Sequence, residues 1–76
     1  MKETLETIIK SLVEFPDEVT VTEVAGEKSV VLEVKVAEKD MGKVIGREGK
    51  IATAIRTVMK ALAAKEQKKV NVEFIG

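Results

Sequence analysis

Residues 42–51 are the part of the sequence whose residue types and spacing could do chemistry. Two glycines, Gly46 and Gly49, flank Arg47 and Glu48 in a Gly-x-x-Gly pattern between two apolar segments. Because glycine has no Cβ, such a turn can adopt backbone torsions that other residues avoid, and its main-chain amides stay open to a ligand. The pattern therefore predicts an anion site built from N–H groups.

Basic side chains surround this turn, and a helix is predicted to begin directly after it. Lys43, Arg47 and Lys50 place mobile positive charge on both sides of the glycines. The free N–H groups and the positive dipole end of the following helix favour a phosphate oxygen at the same place. Glu48 departs from this basic pattern, since its carboxylate repels a phosphate unless it turns outward into water, where screening weakens the repulsion.

The elements that position this turn begin with an amphipathic helix and a hairpin. Apolar residues recur at helical spacing between Thr4 and Glu14, and Pro16 is predicted to end that helix. Alternating residues then predict two strands joined by a short turn at residues 25–28, which makes the pair antiparallel. Val24 is out of step with the first strand and predicts a bulge or an early end there. The inward-facing residues predicted for the second strand are Val30, Leu32, Val34 and Val36.

The second half predicts two helices and a strand around the glycine turn. Asp40 is a candidate N-cap for a short helix that Gly46 stops. A longer helix follows Gly49, with its apolar stripe formed by Ile51, Ala54, Ile55, Val58, Met59 and Leu62. A final strand carries Val70, Val72 and Phe74. The predicted fold class is α+β, a two-layer arrangement in the order α-β-β-α-α-β, with helices covering one face of a three-stranded sheet.

Composition narrows the class of protein. The chain has 76 residues, 45% hydrophobic and 34% charged, which predicts one globular domain over residues 1–76. It has no apolar run of the roughly 18 residues that a membrane span needs, so we expect a cytoplasmic protein without a membrane partner. The absence of Cys and His predicts no metal site and no cofactor of that kind.

The charges are distributed unevenly although the net charge is zero. Residues 1–38 hold four basic and nine acidic side chains, a balance of −5, and residues 39–76 hold nine basic and four acidic ones, a balance of +5. The second half is therefore suited to an anionic partner. Surface charge that merely keeps the chain in solution remains an alternative interpretation of these counts.

Catalysis finds little support in the sequence. Gly49 and Lys50 resemble the end of a nucleotide-binding P-loop, but that motif needs Gly in place of Val44 and Ser or Thr in place of Ile51. The carboxylates are dispersed, and none is paired with a nucleophile. We therefore predict that the chain is not an enzyme.

The segment Val-Ile-Gly-Arg-Glu-Gly-Lys-Ile at residues 44–51 resembles the V-I-G-x-x-G-x-I signature of KH domains. The predicted element order resembles the type II, prokaryotic variant over essentially the whole chain. In length it resembles the small bacterial stand-alone KH proteins of the KhpA family.

This resemblance implies an RNA-binding protein that holds single-stranded RNA through its G-x-x-G loop, as KH domains clamp about four nucleotides. It implies an RNA chaperone or post-transcriptional regulator that forms a homodimer, or a heterodimer with another KH-containing protein. A protein-association module with weak or secondary RNA binding is the alternative, and the small residues Ala61 and Ala64 could serve it. The candidate RNA-binding residues are Lys43, Ile45, Gly46, Arg47, Glu48, Gly49, Lys50, Ile51 and Ile55.

Overall fold

The computed structural model describes residues 1–75, in which helices cover one face of a three-stranded sheet. The elements in chain order are α1 (Lys2–Leu12), β1 (Thr20–Ala25), β2 (Ser29–Lys35), α2 (Met41–Ile45), α3 (Lys50–Lys65) and β3 (Lys69–Ile75). Single turns of 3-10 helix form at Pro16–Glu18, Glu38–Asp40 and Arg47–Gly49. The predicted α+β fold and its element order are confirmed.

Strand β2 lies in the centre of the sheet, antiparallel to β1 and parallel to β3. Its alternate residues Val30, Leu32 and Val34 are buried under the helices, as the period-2 pattern predicts. Because parallel strands start at the same end of a sheet, the chain must cross back between β2 and β3. Helices α2 and α3 make this crossover, and the glycine turn lies between them.

Val24 does not interrupt β1. The β1 and β2 residues pair one to one from Thr20 with Lys35 to Ala25 with Val30, so the predicted bulge or early strand end is wrong. The Val24 side chain instead points to the face of the sheet that carries no helices, where it is 58% exposed. An apolar residue on an open face is common in small domains, which cannot cover all of their apolar surface.

Helix α3 packs with a stripe that matches the predicted one only in part: Ile55 and Met59 are buried as predicted, and Leu62 packs partly buried against the core. Its buried residues are Ala52, Ile55, Met59 and Ala63, whereas Val58 is 46% exposed. The helix is apolar around much of its circumference, so the apolar period alone predicted that the larger side chains would face the sheet. Ala63 belongs to the same core cluster as Ile55 and Met59, and its small side chain lets the C-terminal part of the helix approach the sheet.

Helix α1 ends at Leu12, four residues before the proline that was predicted to end it. Val13 is already extended, with φ −99° and ψ 160°. The next two amides, of Glu14 and Phe15, do not continue the helical pattern, because they donate to the side chain of Asp40. A contact with a distant residue, and not Pro16, therefore accompanies the end of this helix.

Candidate functional site

The turn between α2 and α3 is held in left-handed backbone conformations. Gly46, Glu48 and Gly49 have φ angles of 77°, 57° and 73°. Such angles favour glycine, and they are uncommon for a residue with a Cβ such as Glu48. The turn redirects the chain within four residues, so α3 begins at Lys50 immediately after it.

The two glycines are required for different reasons. A Cβ on Gly46 would lie 2.6 Å from Cγ1 and 2.9 Å from Cδ1 of Ile51, which is closer than carbon atoms can approach. A Cβ on Gly49 would meet no atom within 4 Å, so this position needs glycine only for its φ angle. Gly46 therefore allows the turn to pack closely on α3, and Gly49 allows the turn to take its positive φ angle.

The amides of the two central residues are the ones left open to a ligand. The Gly46 N–H donates to Gly42 O at 2.9 Å, and the Gly49 N–H donates to Gly46 O at 3.2 Å. The Lys50 N–H donates to Arg47 O. Within residues 1–75, the N–H groups of Arg47 and Glu48 donate to no main-chain or side-chain acceptor outside the regular helix and strand ladders. Two adjacent unpaired N–H groups thus lie at the N-terminal end of α3, where an anion is favoured.

The three basic side chains predicted to surround the turn differ in whether they form ion pairs. Arg47 and Lys50 are exposed, and neither forms an ion pair with any residue of the described chain. The Nζ of Lys43 lies 3.3 Å from Oε2 of Glu14 and 3.7 Å from Oδ1 of Asp40. Arg47 and Lys50 are therefore available to an anionic ligand, whereas Lys43 is held by two carboxylates.

Asp40 is a buried carboxylate that joins the start of α2 to the segment after α1. Its Oδ1 accepts the Glu14 N–H at 3.0 Å and its Oδ2 accepts the Phe15 N–H at 2.9 Å. Burial alone would raise the pKa of this carboxyl, but the two N–H groups and the charge of Lys43 outweigh it, so the pKa lies below its ordinary value. Asp40 is the N-cap residue of α2, as predicted, but its carboxylate makes no hydrogen bond to that helix, so the predicted side-chain cap is wrong.

The apolar candidates divide into surface and core residues. Ile51 is 36% exposed and Ile45 is half-buried, so both present apolar surface next to the turn. Ile55 is only 4% exposed and packs with Val44 in the core. Ile55 can support an apolar floor from below, but its own surface is almost entirely covered by protein.

Two structural roles carry no clear signal in the sequence. One is the bond from Asp40 to two amides about 25 residues earlier, which no local pattern reveals. The other is Arg56, whose Nε donates to Val72 O at 3.1 Å and whose guanidinium carbon lies 5.3 Å from the ring centre of Phe74. Arg56 thus supplies a partner to a main-chain carbonyl on the edge strand β3, and a cation–π contact helps to hold it there.

The described residues contain no group of three or more Asp and Glu side chains placed to hold a metal ion. None of their helices is long and apolar enough to cross a membrane.

A family model described as the KH domain of KhpA and KhpB matches residues 2–74. This chain belongs to that KH-domain family. The KH domain is similar to the RNA-binding protein KhpA of Clostridium acetobutylicum, at 67% identity over 99% of this chain and 100% of the relative. It is also similar to the RNA-binding protein KhpA of Clostridium perfringens, at 63% identity over 99% of this chain and 100% of the relative. The protein of that name in Aquifex aeolicus is 44% identical over 99% of this chain and 95% of the relative.

Membership of this family gives the G-x-x-G turn of residues 46–49 a context beyond its own sequence. A Gly-x-x-Gly turn alone occurs in many helix connections, but in this KH domain it follows Val44-Ile45, precedes Lys50-Ile51 and lies between a short and a long helix. The region that the family model matches, residues 2–74, includes this turn and both of the helices that flank it.

Proposed function

We propose that this KH domain binds single-stranded RNA by receiving backbone phosphates on the loop of residues 46–49. The observation that carries the proposal is the pair of open N–H groups of Arg47 and Glu48, in a segment that also carries the exposed side chains of Arg47 and Lys50. Main-chain N–H groups and flexible cations recognise phosphate without reading a base. Ile45 and Ile51 supply apolar surface against which the bases lie.

The proposed complex is of modest affinity and discriminates little between sequences. Glu48 brings a carboxylate into the loop, and the apolar residues next to it are aliphatic and cannot stack on bases as aromatic rings do. Binding is therefore expected to weaken steeply with salt, as for other contacts dominated by phosphate. We propose that the chain acts as one KH domain in the bacterial cytoplasm, as an RNA chaperone or post-transcriptional regulator and not as an enzyme.

The test replaces both central residues of the loop by aspartate, Arg47→Asp with Glu48→Asp, and measures binding of a short single-stranded RNA. The matched control is Glu27→Asp with Lys28→Asp, which makes the same change of charge in the exposed turn between β1 and β2. We expect the loop variant to lose binding and the control to keep it. Equal affinity of the two variants would show that the loop does not receive the RNA.

Association with a second KH domain is a second candidate function, and the outer face of α3 favours it. Val58 is 46% exposed and lies on that helix near Ala54 and Ala61, whose side chains are small enough to permit close helix approach. We propose this face as the contact in a homodimer, or in a heterodimer with another KH-containing protein. A Val58→Glu variant should sediment as a smaller species than the wild type, and an unchanged sedimentation coefficient would contradict this surface.

A further inference from the structure

A second basic site lies toward the C-terminal end of α3, away from the glycine loop. A depression between α3 and the start of β3 is lined by Lys60, Lys68, Lys69, Val70 and Asn71, and we call it the lysine depression. Along a helix that rises about 1.5 Å per residue, Lys60 lies about 15 Å beyond Lys50. The lysine depression is therefore separate from the loop that holds the first phosphates.

The lysines of this depression have no acidic partners in the part of the chain that the structure describes. Lys60, Lys68 and Lys69 form no ion pair there, whereas Lys10 pairs with Glu6. Three lysines that line one depression without acidic partners raise the local positive potential, and their like charges repel each other. An anion that enters the depression relieves this repulsion.

Capping of α3 does not explain these lysines. Lysine side chains near a helix C-terminus often bond to its last carbonyls. Here the backbone does so itself, because the Lys68 N–H donates to Ala63 O at 2.9 Å and the Gln67 N–H donates to Ala64 O at 3.0 Å. Gln67 takes the left-handed conformation that this arrangement needs, with φ 59°. The ammonium groups remain free for another role.

Neutral donors complete the depression. Strand β3 is at the edge of the sheet, and the Lys69 N–H donates to Lys28 O on the inner side. Because successive residues of a strand turn their N–H groups to opposite sides, the Val70 N–H faces the open edge. Asn71 also lines the depression. Lysine ammonium groups next to neutral N–H donors are a set suited to phosphate oxygens.

We propose that the lysine depression is a second contact for the phosphate backbone of an RNA strand whose other part lies on the loop of residues 46–49. The inference rests on the proposed function and extends it to a longer RNA. The ligand is a phosphate backbone and not a base, because the lining includes no aromatic ring on which a base could stack. A strand just long enough to fill the loop does not reach the lysine depression, so the second contact depends on RNA length.

The test compares two triple variants that remove the same charge. One is Lys60→Gln, Lys68→Gln and Lys69→Gln in the depression, and the control is Lys10→Gln, Lys35→Gln and Lys39→Gln elsewhere on the surface. Affinity is measured over a series of salt concentrations for uridine oligomers of about 5 and about 25 nucleotides. The shorter length is chosen because KH loops take about four nucleotides. Thermal unfolding of both variants checks that they are folded.

We expect the depression variant to bind the long RNA at least about ten-fold more weakly than the control does. The salt slope, by which we mean the slope of log affinity against log salt concentration, should be smaller by about 2 because three phosphate contacts are lost. Binding of the short RNA should stay the same in both variants. In the wild-type protein, the long RNA alone should shift the NMR signals of the main-chain N–H groups of Val70 and Asn71.

The outcomes separate this inference from the proposed function. If the wild type binds both RNAs and the two triple variants bind the long RNA equally, the second contact is wrong and RNA binding by the loop stands. If the depression variant loses the same affinity for short and long RNA, the lysines act only through their long-range positive potential, which also overturns a second contact. If the wild type binds neither RNA, both proposals are wrong.

Discussion

Gly46 and Ile51 are in contact so close that only a hydrogen fits between them, since a Cβ on Gly46 would lie 2.6 Å from Cγ1 of Ile51. This contact fixes the loop against the first turn of α3, beside the open N–H groups of Arg47 and Glu48. The contact between Gly46 and Ile51 therefore sets both the shape of the loop and the position of the apolar side chain beside it.

Gly46→Ala should be more destabilising than Gly49→Ala. Both substitutions force alanine to a positive φ angle, at a cost of about 1–3 kcal/mol. Only Gly46→Ala adds overpacking, which costs about 1–3 kcal/mol more. Urea unfolding of the two variants measures the difference, and equal free energies of unfolding would mean that Ile51 moves away without cost.

The buried carboxylate of Asp40 should make stability depend on pH. Its pKa in the folded protein is lowered, so as the pH falls the unfolded chain takes up a proton at this position before the folded protein does. The stabilisation is complete above the ordinary aspartate pKa of about 3.9 and is lost as the pH falls from there through the folded value. Asp40→Asn should therefore lower the melting temperature at neutral pH, and less so at acidic pH.

Asp17→Asn is the control for Asp40, because Asp17 is exposed in the turn Pro16–Glu18. Its melting temperature should follow that of the wild type at every pH. If the Asp40→Asn variant also follows the wild type, the bonds to Glu14 and Phe15 do not stabilise the fold.

Glu48→Gly should raise both stability and RNA affinity. The substitution removes a side chain from a φ of 57° and a carboxylate from the proposed phosphate site. Gln67→Gly is the matched control, because Gln67 has a φ of 59° at the end of α3. Relief of a left-handed conformation should stabilise each variant by roughly 1 kcal/mol, which raises the melting temperature by about 4–8 °C. Only Glu48→Gly should bind RNA more tightly, and equal affinities would mean that the Glu48 carboxylate stays clear of the phosphate.

Lys50→Met should weaken RNA binding more than Lys43→Met. Lys50 is free of ion pairs in the described chain, whereas Lys43 is held by Glu14 and Asp40. Loss of one phosphate contact at Lys50 should reduce the salt slope of binding by about 1. Lys43→Met should leave that slope nearly unchanged and lower the melting temperature instead. The reverse result would show that Lys43 leaves its carboxylates for the RNA.

The sequence by itself determined the order of the elements, the inward face of β2 and the position of the glycine turn. These depend on local physics, because the period of apolar residues decides between helix and strand, and only glycine enters left-handed torsions easily. The candidate residues Gly46, Arg47, Gly49 and Lys50 could be chosen from that turn and the helix start after it.

Only the tertiary structure decided which side chains remain available at that turn. It paired Lys43 with Glu14, placed Ile55 in the core, and turned Asp40 from a predicted cap of α2 into the acceptor for two amides at the end of α1. It also selected the alanine-containing face of α3 for the sheet and left Val58 exposed. These outcomes depend on contacts between segments far apart in the chain, and a local pattern carries no information about which distant groups will meet when the layers pack.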